Sequence, residues 1–308
     1  MKKVLIAMSG GVDSSVAASL MQQQGWDCIG ATMTLYRNED IGRSSSRTCC
    51  SLDDVEDARS VAFRLRIPYY IFNFSEEFRC QVMDRFADAY GQGRTPNPCI
   101  DCNRYLKFRH LYDRAALLGC DTIATGHYAR IKQENGRFLL KKALDASKDQ
   151  SYVLYQLTQE QLSHLLLPVG SFEKPEIREQ AEEAGLANAH QADSQDICFI
   201  PDGDYVRFLR DYGGVTPQPG NFVDETGRVL GRHRGLECYT AGQRKGLGVS
   251  ADRPLYVISK NAENNTVLLG DNEELFSAAL LASRVNWIAG ETPAEKVYCS
   301  AKTRHSQK

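Results

Sequence analysis

Seven residues constrain this chain more than any others. Ser9–Ser15 read SGGVDSS and lie between a short apolar run, Lys3–Met8, and a segment, Ser14–Gln24, whose Val16, Leu20 and Met21 share one helical face before Gly25 ends it. A strand that turns through two glycines into a helix start brings backbone N–H groups and the positive end of the helix dipole to one point, beside the hydroxyls of Ser9, Ser14 and Ser15. That arrangement is an anion cradle on a buried strand. It lacks the lysine of the Gly-x-x-x-x-Gly-Lys-Ser/Thr loop, which disfavours a Walker-type NTPase. Asp13 is either a participant in the chemistry or a cap of the helix.

The following text keeps alternating strand and helix. Cys28–Leu35 and Pro68–Phe72 read as strands, Val55, Ala58, Ala62 and Leu65 as a helical face, and Phe78, Val82, Phe86 and Ala89 as another. A turn-rich loop is expected from Gly91 to Asn103, then a helix Leu106–Leu118 and a strand Thr122–Thr125. This alternation predicts an α/β class with a Rossmann-like, doubly wound parallel sheet. Asn135-Gly136 signals a hairpin, and Pro175–Ala184 a helix with proline in its first turn. Near residue 202 the text becomes short strands and turns. The expected division is therefore 1–201 as an ATP-binding catalytic domain, 202–280 as a smaller, mostly β domain, and 281–308 as the beginning of a β-rich C-terminal barrel, which the chain is expected to truncate.

At 308 residues, with 42% hydrophobic and 25% charged residues, the chain has the balance of a soluble globular protein of two or three domains. The longest apolar runs, Val4–Met8 and Ala278–Ala282, are five residues each, against the ~20 of a membrane span. The N-terminal apolar stretch is also shorter than the ~7–15 residues of a signal-peptide core, so a cytoplasmic protein is expected. There the ten cysteines do not form a disulfide framework. Cys28, Cys80, Cys120, Cys238 and Cys299 read as small buried apolar residues. Cys99 and Cys102 form CIDC, and Cys49 and Cys50 are adjacent. A formal net charge of −2 hides local excesses of +3 over 94–114 and +4 over both 130–148 and 228–248, against −7 over 173–204. Basic stretches on a near-neutral chain suit a polyanion as well as plain solvation.

With its SGGVDS loop the chain resembles the PP-loop ATP pyrophosphatases, which transfer AMP to a substrate oxygen and release pyrophosphate. Five further strings narrow the resemblance: GRTPNPCIDCNRYLKF (93–108), ATGHYAR (124–130), KDQSYVLY (148–155), DSQDICFI (193–200) and TAGQRKGLG (240–248). In these, and in their order, the chain resembles the tRNA-specific 2-thiouridylase family from residue 3 to about 305. The resemblance implies ATP binding by Ala7, Met8, Ser9, Gly10, Gly11, Val12, Asp13, Ser14, Met33 and Gly126, assisted by Mg2+. It implies a catalytic Cys102 and a persulfide-bearing Cys198, target-base contacts from Asn97, Pro98 and Cys99, and tRNA contacts from His127, Lys148, Asp149, Gln150, Arg304 and His305. Implied partners are glutamate, glutamine and lysine tRNAs and a cysteine desulfurase or sulfur-relay protein as donor. A thiolate that displaces sulfur from a persulfide leaves a disulfide, so Cys102 and Cys198 must come within bridging range.

One position departs from the family pattern. Position 99 is Cys where many members carry Asp, and Cys99, Cys102 and Cys198 would be enough thiolates for a 4Fe-4S cluster with one open iron, the alternative sulfur carrier. Rival readings are another AMP-forming PP-loop ligase, which needs no paired thiols, and a non-catalytic RNA- or metal-binding protein that retains the nucleotide fold.

Overall fold

The computed structural model describes residues 2–37, 52–193 and 197–303, with Leu52 by its backbone alone. Cys49, Cys50, Arg304 and His305 lie outside the described residues. The described residues fall into two compact units. The first runs to Gln81, resumes over Cys99–Pro201 and again from Val285, and the second comprises Val82–Pro98 and Asp202–Arg284.

The first unit is built on a five-stranded, wholly parallel sheet of order β3-β2-β1-β4-β7, from β1 (Lys3–Ala7), β2 (Asp27–Thr34), β3 (Tyr69–Asn73), β4 (Thr122–Thr125) and β7 (Leu165–Leu166). Val4, Leu5 and Ile6 are fully buried, as a central strand covered on both faces requires. Helix α1 (Val12–Gln23) buries Val16, Ala17, Leu20 and Met21 against this strand, together with Ala58, Val61 and Ala62 of α2 (Leu52–Leu65). The chain winds β1, β2, β3 to one side and then β4, β7 to the other. The switch point therefore lies between the carboxyl ends of β1 and β4, where open α/β sheets form their ligand crevice. Between β4 and β7 the hairpin β5 (Ala129–Glu134) and β6 (Arg137–Lys142) turns through Asn135 and Gly136, both at positive φ (50° and 77°), the type I′ geometry their sequence predicts.

The path from β3 to β4 departs from the expected helix, loop and helix. Helix α3 (Ser75–Phe78) continues as a π-helical turn, Arg79–Met83, into α4 (Asp84–Gly91), and the expected loop ends early. Pro98 opens a short α5 (Pro98–Asp101), where its missing N–H costs nothing. A nine-residue π-helix, Cys102–His110, then leads into α6 (Leu111–Leu117), with Leu111 N–H still bonded five residues back to the Leu106 carbonyl. Both CIDC cysteines are thus helical. Beyond the hairpin come α7 (Gln159–Ser163), with a complete capping box from Thr158 and Gln161, and α8 (Lys174–Glu183) with proline in its first turn. The segment from Val285 holds no strand among the described residues. It is tied to this unit by Asn286 Nδ2 donating to the carbonyls of Tyr155 (2.9 Å) and Leu157 (3.0 Å), and by Gln159 Nε2 donating to that of Ile288 (2.6 Å).

In the second unit α9 (Tyr205–Asp211) stacks on α4. Phe86 meets Phe208 at 6.0 Å between ring centroids, Tyr90 meets Tyr205 at 5.0 Å, and Tyr212 donates to Asp84 at 2.6 Å. Its four-stranded sheet has the order β10-β11-β8-β9, from β8 (Gly220–Val223), β9 (Val229–His233), β10 (Tyr256–Asn261) and β11 (Thr266–Gly270). Phe222, Tyr239, Val257, Val267 and Leu269 form its core. Of the cysteines expected in cores, Cys28, Cys120 and Cys238 are buried, but Cys80 and Cys299 are exposed. Cys80 lies beside Arg79 and Glu76 on the polar side of its helix. Among the described residues no helix is long and apolar enough to cross a membrane.

Candidate active site

The SGGVDSS loop occupies the switch point, between β1 and α1. Gly10 takes φ +82°, and a Cβ there would lie 2.7 Å from the Asp54 carbonyl oxygen, so both conformation and space require glycine. Gly11 is the N-cap of α1 and supplies no side-chain cap, which leaves the first-turn N–H groups of α1 without side-chain acceptors and suited to an anion. The serine hydroxyls brace the loop from within. Ser14 Oγ donates to the Gly11 carbonyl (3.0 Å) and accepts from Ser9 N–H (3.1 Å), while Ser15 Oγ donates to the same carbonyl (3.0 Å). Buried Asn188, from the turn after α8, donates to the Gly10 carbonyl and to Ser15 Oγ (2.8 Å). Gly126, just past β4, closes the other wall. A Cβ on it would lie 2.7 Å from Ser14 N and 2.8 Å from the Asp13 carbonyl carbon. Ala7, Met8 and Met33 end or flank the adjoining strands, with Met8 N–H bonded to the Ala31 carbonyl (2.8 Å) and Met33 on β2 buried. Of the residues expected to bind ATP, Ser9–Ser14 form this cradle and Gly126 abuts it, Ala7 and Met8 lead into it from β1, and Met33 lies on the neighbouring β2; the uncapped helix start is suited to a polyphosphate.

Asp13 is not the cap of α1, a place taken by Gly11, but part of a charged network. Its Oδ1 accepts from the Tyr128 hydroxyl (2.7 Å) and from Lys174 Nζ (2.7 Å), and the same ammonium reaches Asp193 Oδ1 at 2.8 Å. Lys148 (2.7 Å) and Arg178 (3.1 Å) complete the ring of cations around Asp193. Burial alone would raise the Asp193 carboxyl, but Lys148 and Lys174 hold it below the ordinary aspartate value. Burial, with the adjacent Asp13 charge, pushes the Tyr128 hydroxyl far up, so it stays a donor. Sequence reasoning misses Lys174, Asp193, Tyr128 and Asn188 as site residues, although Tyr128 and Asp193 lie in the strings ATGHYAR and DSQDICFI and Lys174 stands ahead of a helix-starting proline inside the acidic stretch 173–204.

Of the residues expected to touch tRNA, Lys148 lies on Asp193. Asp149 accepts from Ala143 N–H (3.0 Å) and from the Ser151 hydroxyl (2.8 Å), and Gln150 exchanges bonds with the backbone of Tyr128 (2.7 and 2.9 Å). His127 is buried, at 7% exposure, with Nδ1 against Thr125 Oγ1 (2.7 Å) and Nε2 near Lys107 Nζ (3.5 Å). Burial and the Lys107 charge hold its pKa well below the ordinary histidine value, so the ring is neutral.

Asn97, buried Pro98 and exposed Cys99 lead directly into the π-helix whose first residue is Cys102. Cys102 is 8% exposed, and burial pushes its thiol up to about 11, against the opposing pull of Lys107. Cys198 is half-buried. Its carbonyl accepts from the Tyr36 hydroxyl, and the next residue, Phe199, packs edge-on against Phe78 at 5.6 Å. The two sulfurs are not joined in a disulfide. Among the described residues no three His, Cys, Asp or Glu side chains gather as a metal site, so the cluster ligand set of Cys99, Cys102 and Cys198 is not assembled. One reason is that Cys99 points to solvent while Cys102 faces the interior.

Residues 2–202 match the family described as the tRNA methyl transferase HUP domain, and residues 206–271 the one described as its PRC-barrel domain. The chain is similar to proteins named tRNA-specific 2-thiouridylase MnmA. It is 50% identical to that of Clostridioides difficile (100% of this chain, 85% of the relative) and 51% to that of Lachnoclostridium phytofermentans (99% and 86%). The one from Acetivibrio thermocellus is 49% identical (100% and 86%). Among solved structures, a 4-thiouridine synthetase in complex with RNA and ATP is similar over 68% of this chain and 50% of that one, at 22% identity and a TM-score of 0.44. With residues 2–202 and 206–271 matching those two domain families and about half of its residues identical, over 99–100% of its length, to those of these relatives, the chain belongs to the tRNA-specific 2-thiouridylase (MnmA) family.

Proposed function

We propose that this protein is a tRNA-uridine 2-sulfurtransferase that converts the wobble uridine of glutamate, glutamine and lysine tRNAs to 2-thiouridine in the cytoplasm, with AMP and pyrophosphate as products. The observation that carries the reading is an uncapped, serine-braced anion cradle at the sheet switch point, in the same compact unit as the buried Cys102 and the half-buried Cys198. Residues 1–201 act as the catalytic domain, and 202–280 contribute tRNA binding.

In the first half-reaction the uridine O2 attacks the α-phosphorus of ATP and pyrophosphate leaves. The cradle of Ser9–Ser14 neutralises the departing charge with backbone N–H groups. Mg2+ suits a polyphosphate here, and Asp13 is the carboxylate that would hold it. In the second, Cys198 carries a sulfane sulfur received from a cysteine desulfurase or relay protein. That terminal sulfur attacks C2 and expels AMP, which leaves the base joined to Cys198 through an S–S bond. The Cys102 thiolate, its proton given up, attacks Cys198 Sγ, the S–S bond breaks toward the base, and 2-thiouridine departs from a Cys102–Cys198 disulfide. A dithiol reductant returns the two electrons. A wobble base outside the helical stack reaches such a site at low cost.

The test separates the half-reactions by scoring AMP and, by nucleoside mass spectrometry, 2-thiouridine in one tube. Cys198→Ala is expected to form AMP and no thiouridine from a persulfide donor. Cys102→Ala is expected to stall with tRNA linked to Cys198. Normal thiolation by Cys102→Ala would overturn the disulfide-forming step, and loss of AMP in Cys198→Ala would overturn the separation.

A further inference from the structure

The π-helix that starts at Cys102 has no role in the chemistry above, and neither do Lys107 or the buried His127. A π-helix bonds each residue to the one five positions on, so a residue five along comes round to the same side of the helix, a little over one turn further on. Cys102 and Lys107 are such a pair, at the first and sixth positions of the segment Cys102–His110. Lys107 is held from the other side: His127 Nε2 lies 3.5 Å from its Nζ, and Thr125 Oγ1 lies 2.7 Å from His127 Nδ1. An ammonium only donates, so Nε2 must accept from it. The ring proton therefore sits on Nδ1 and is donated to Thr125.

We propose that Lys107 is a positioning residue for sulfur transfer: held by His127 and Thr125, its ammonium stands beside Cys102 and stabilises the thiolate that attacks Cys198. Three further observations fit. Among the described residues, Lys107 is the cation that favours the Cys102 thiolate, against burial and the charges of Cys99 and Asp101. Burial disfavours the Cys102 thiolate, so a fixed cation is needed to make it accessible. His127 lies against the Phe108 ring at 5.9 Å, inside the apolar wall that keeps it neutral and accepting.

The inference rests on Cys102 being the reacting thiol, but its test requires neither tRNA nor ATP. Full-length protein is alkylated with iodoacetamide across pH 7–10, and modification of Cys102 is followed by peptide mass spectrometry. Loss of a cation raises a thiol pKa, and a rise of one pH unit means about tenfold less thiolate at neutral pH. Lys107→Met is therefore expected to move the Cys102 alkylation profile to higher pH and slow it about tenfold at pH 8, while Lys107→Arg stays near wild type. His127→Phe, which removes the acceptor but leaves the cation, is expected to fall between them. Unchanged circular dichroism and an unchanged alkylation profile at buried Cys28 establish that the variants are folded. A Cys102 profile that does not move in folded Lys107→Met overturns the proposal, including the case in which that variant loses only tRNA affinity. If the profile moves as expected while Cys102→Ala still thiolates tRNA, the electrostatic pairing stands and the reaction assigned to Cys102 falls.

Discussion

Lys174→Met removes the single ammonium that joins Asp13 of the nucleotide cradle to Asp193. Lys174 is 9% exposed at its side chain and makes two charge-assisted contacts, 2.7 Å to Asp13 and 2.8 Å to Asp193. Breaking a fully buried pair costs about 3–5 kcal/mol, and a hydrogen bond to a charged group contributes about 1.5–3. Here the stranded carboxylates are 30% and 21% exposed and keep other partners: the Tyr128 hydroxyl on Asp13, and Lys148 and Arg178 on Asp193. The loss should therefore lie near the low end, about 2 kcal/mol, which lowers Tm by about 4–8 °C for a unit of this size. The pH dependence carries the sharper information. The Asp193 carboxyl is held below its unfolded value of about 3.9, so its contribution to stability is complete above that value and disappears as pH falls through the lowered one. Urea unfolding at a series of pH values should show wild type and Lys174→Met separated above about pH 5 and converging as pH falls below the ordinary aspartate value of about 3.9 and the carboxylate protonates. Equal stability at pH 7.5, or a separation that persists into acid, would refute the assignment of the network as a charge-held joint. AMP formation should fall on the order of a hundredfold as Asp13 loses its fixed position.

Two further substitutions address the cradle itself. Gly126→Ala forces a Cβ to within 2.7 Å of the Ser14 amide nitrogen, where backbone cannot yield without moving the helix start. Calorimetric titration should show ATP affinity down at least about tenfold, with a stability cost of about 1–3 kcal/mol, and wild-type affinity would show that the two walls are not interlocked. Asn188→Ala withdraws the buried donor from the Gly10 carbonyl and Ser15 Oγ and should destabilise by about 2 kcal/mol in urea. A change below about 0.5 kcal/mol would mean that the loop holds its shape without that strut.

The elements readable from sequence were those with a strong local cause. The run Val4–Met8 can only be a covered strand, SGGVDSS can only turn there, and Asn135-Gly136 accepts the positive φ values a two-residue hairpin needs. Nothing comparable marks CNRYLKFRH as π rather than α. Its apolar spacing suits either winding, and in the winding it adopts Leu106, Phe108 and Leu111 are all buried. The same holds for Val82–Pro98, whose Phe86 and Tyr90 look like any helical face but pack on Phe208 and Tyr205, more than a hundred residues on. Lys174 was illegible for a different reason: an ion pair across 161 positions has no local signature, and within an acidic run a lone lysine looks like solvation. The resemblance located the cradle and both cysteines, but not the charged and amide groups that hold the cradle in place.

The winding of Cys102–His110 is itself a chemical variable. In an α-helix successive side chains are about 100° apart, so a sixth residue would stand about 140° round the axis from the first and the two would face different sides. A π-helix is equivalent to one residue accommodated without shifting the helix ends. Winding the same residues as α, with none deleted, would leave every side chain chemically intact and still carry the ammonium away from the sulfur, whereas deleting one residue between Cys102 and Lys107 would set the pair four apart, about 40° round an α-helix and still on one side. For this segment the winding matters as much as residue identity, because the same nine side chains wound as α would no longer pair the first with the sixth.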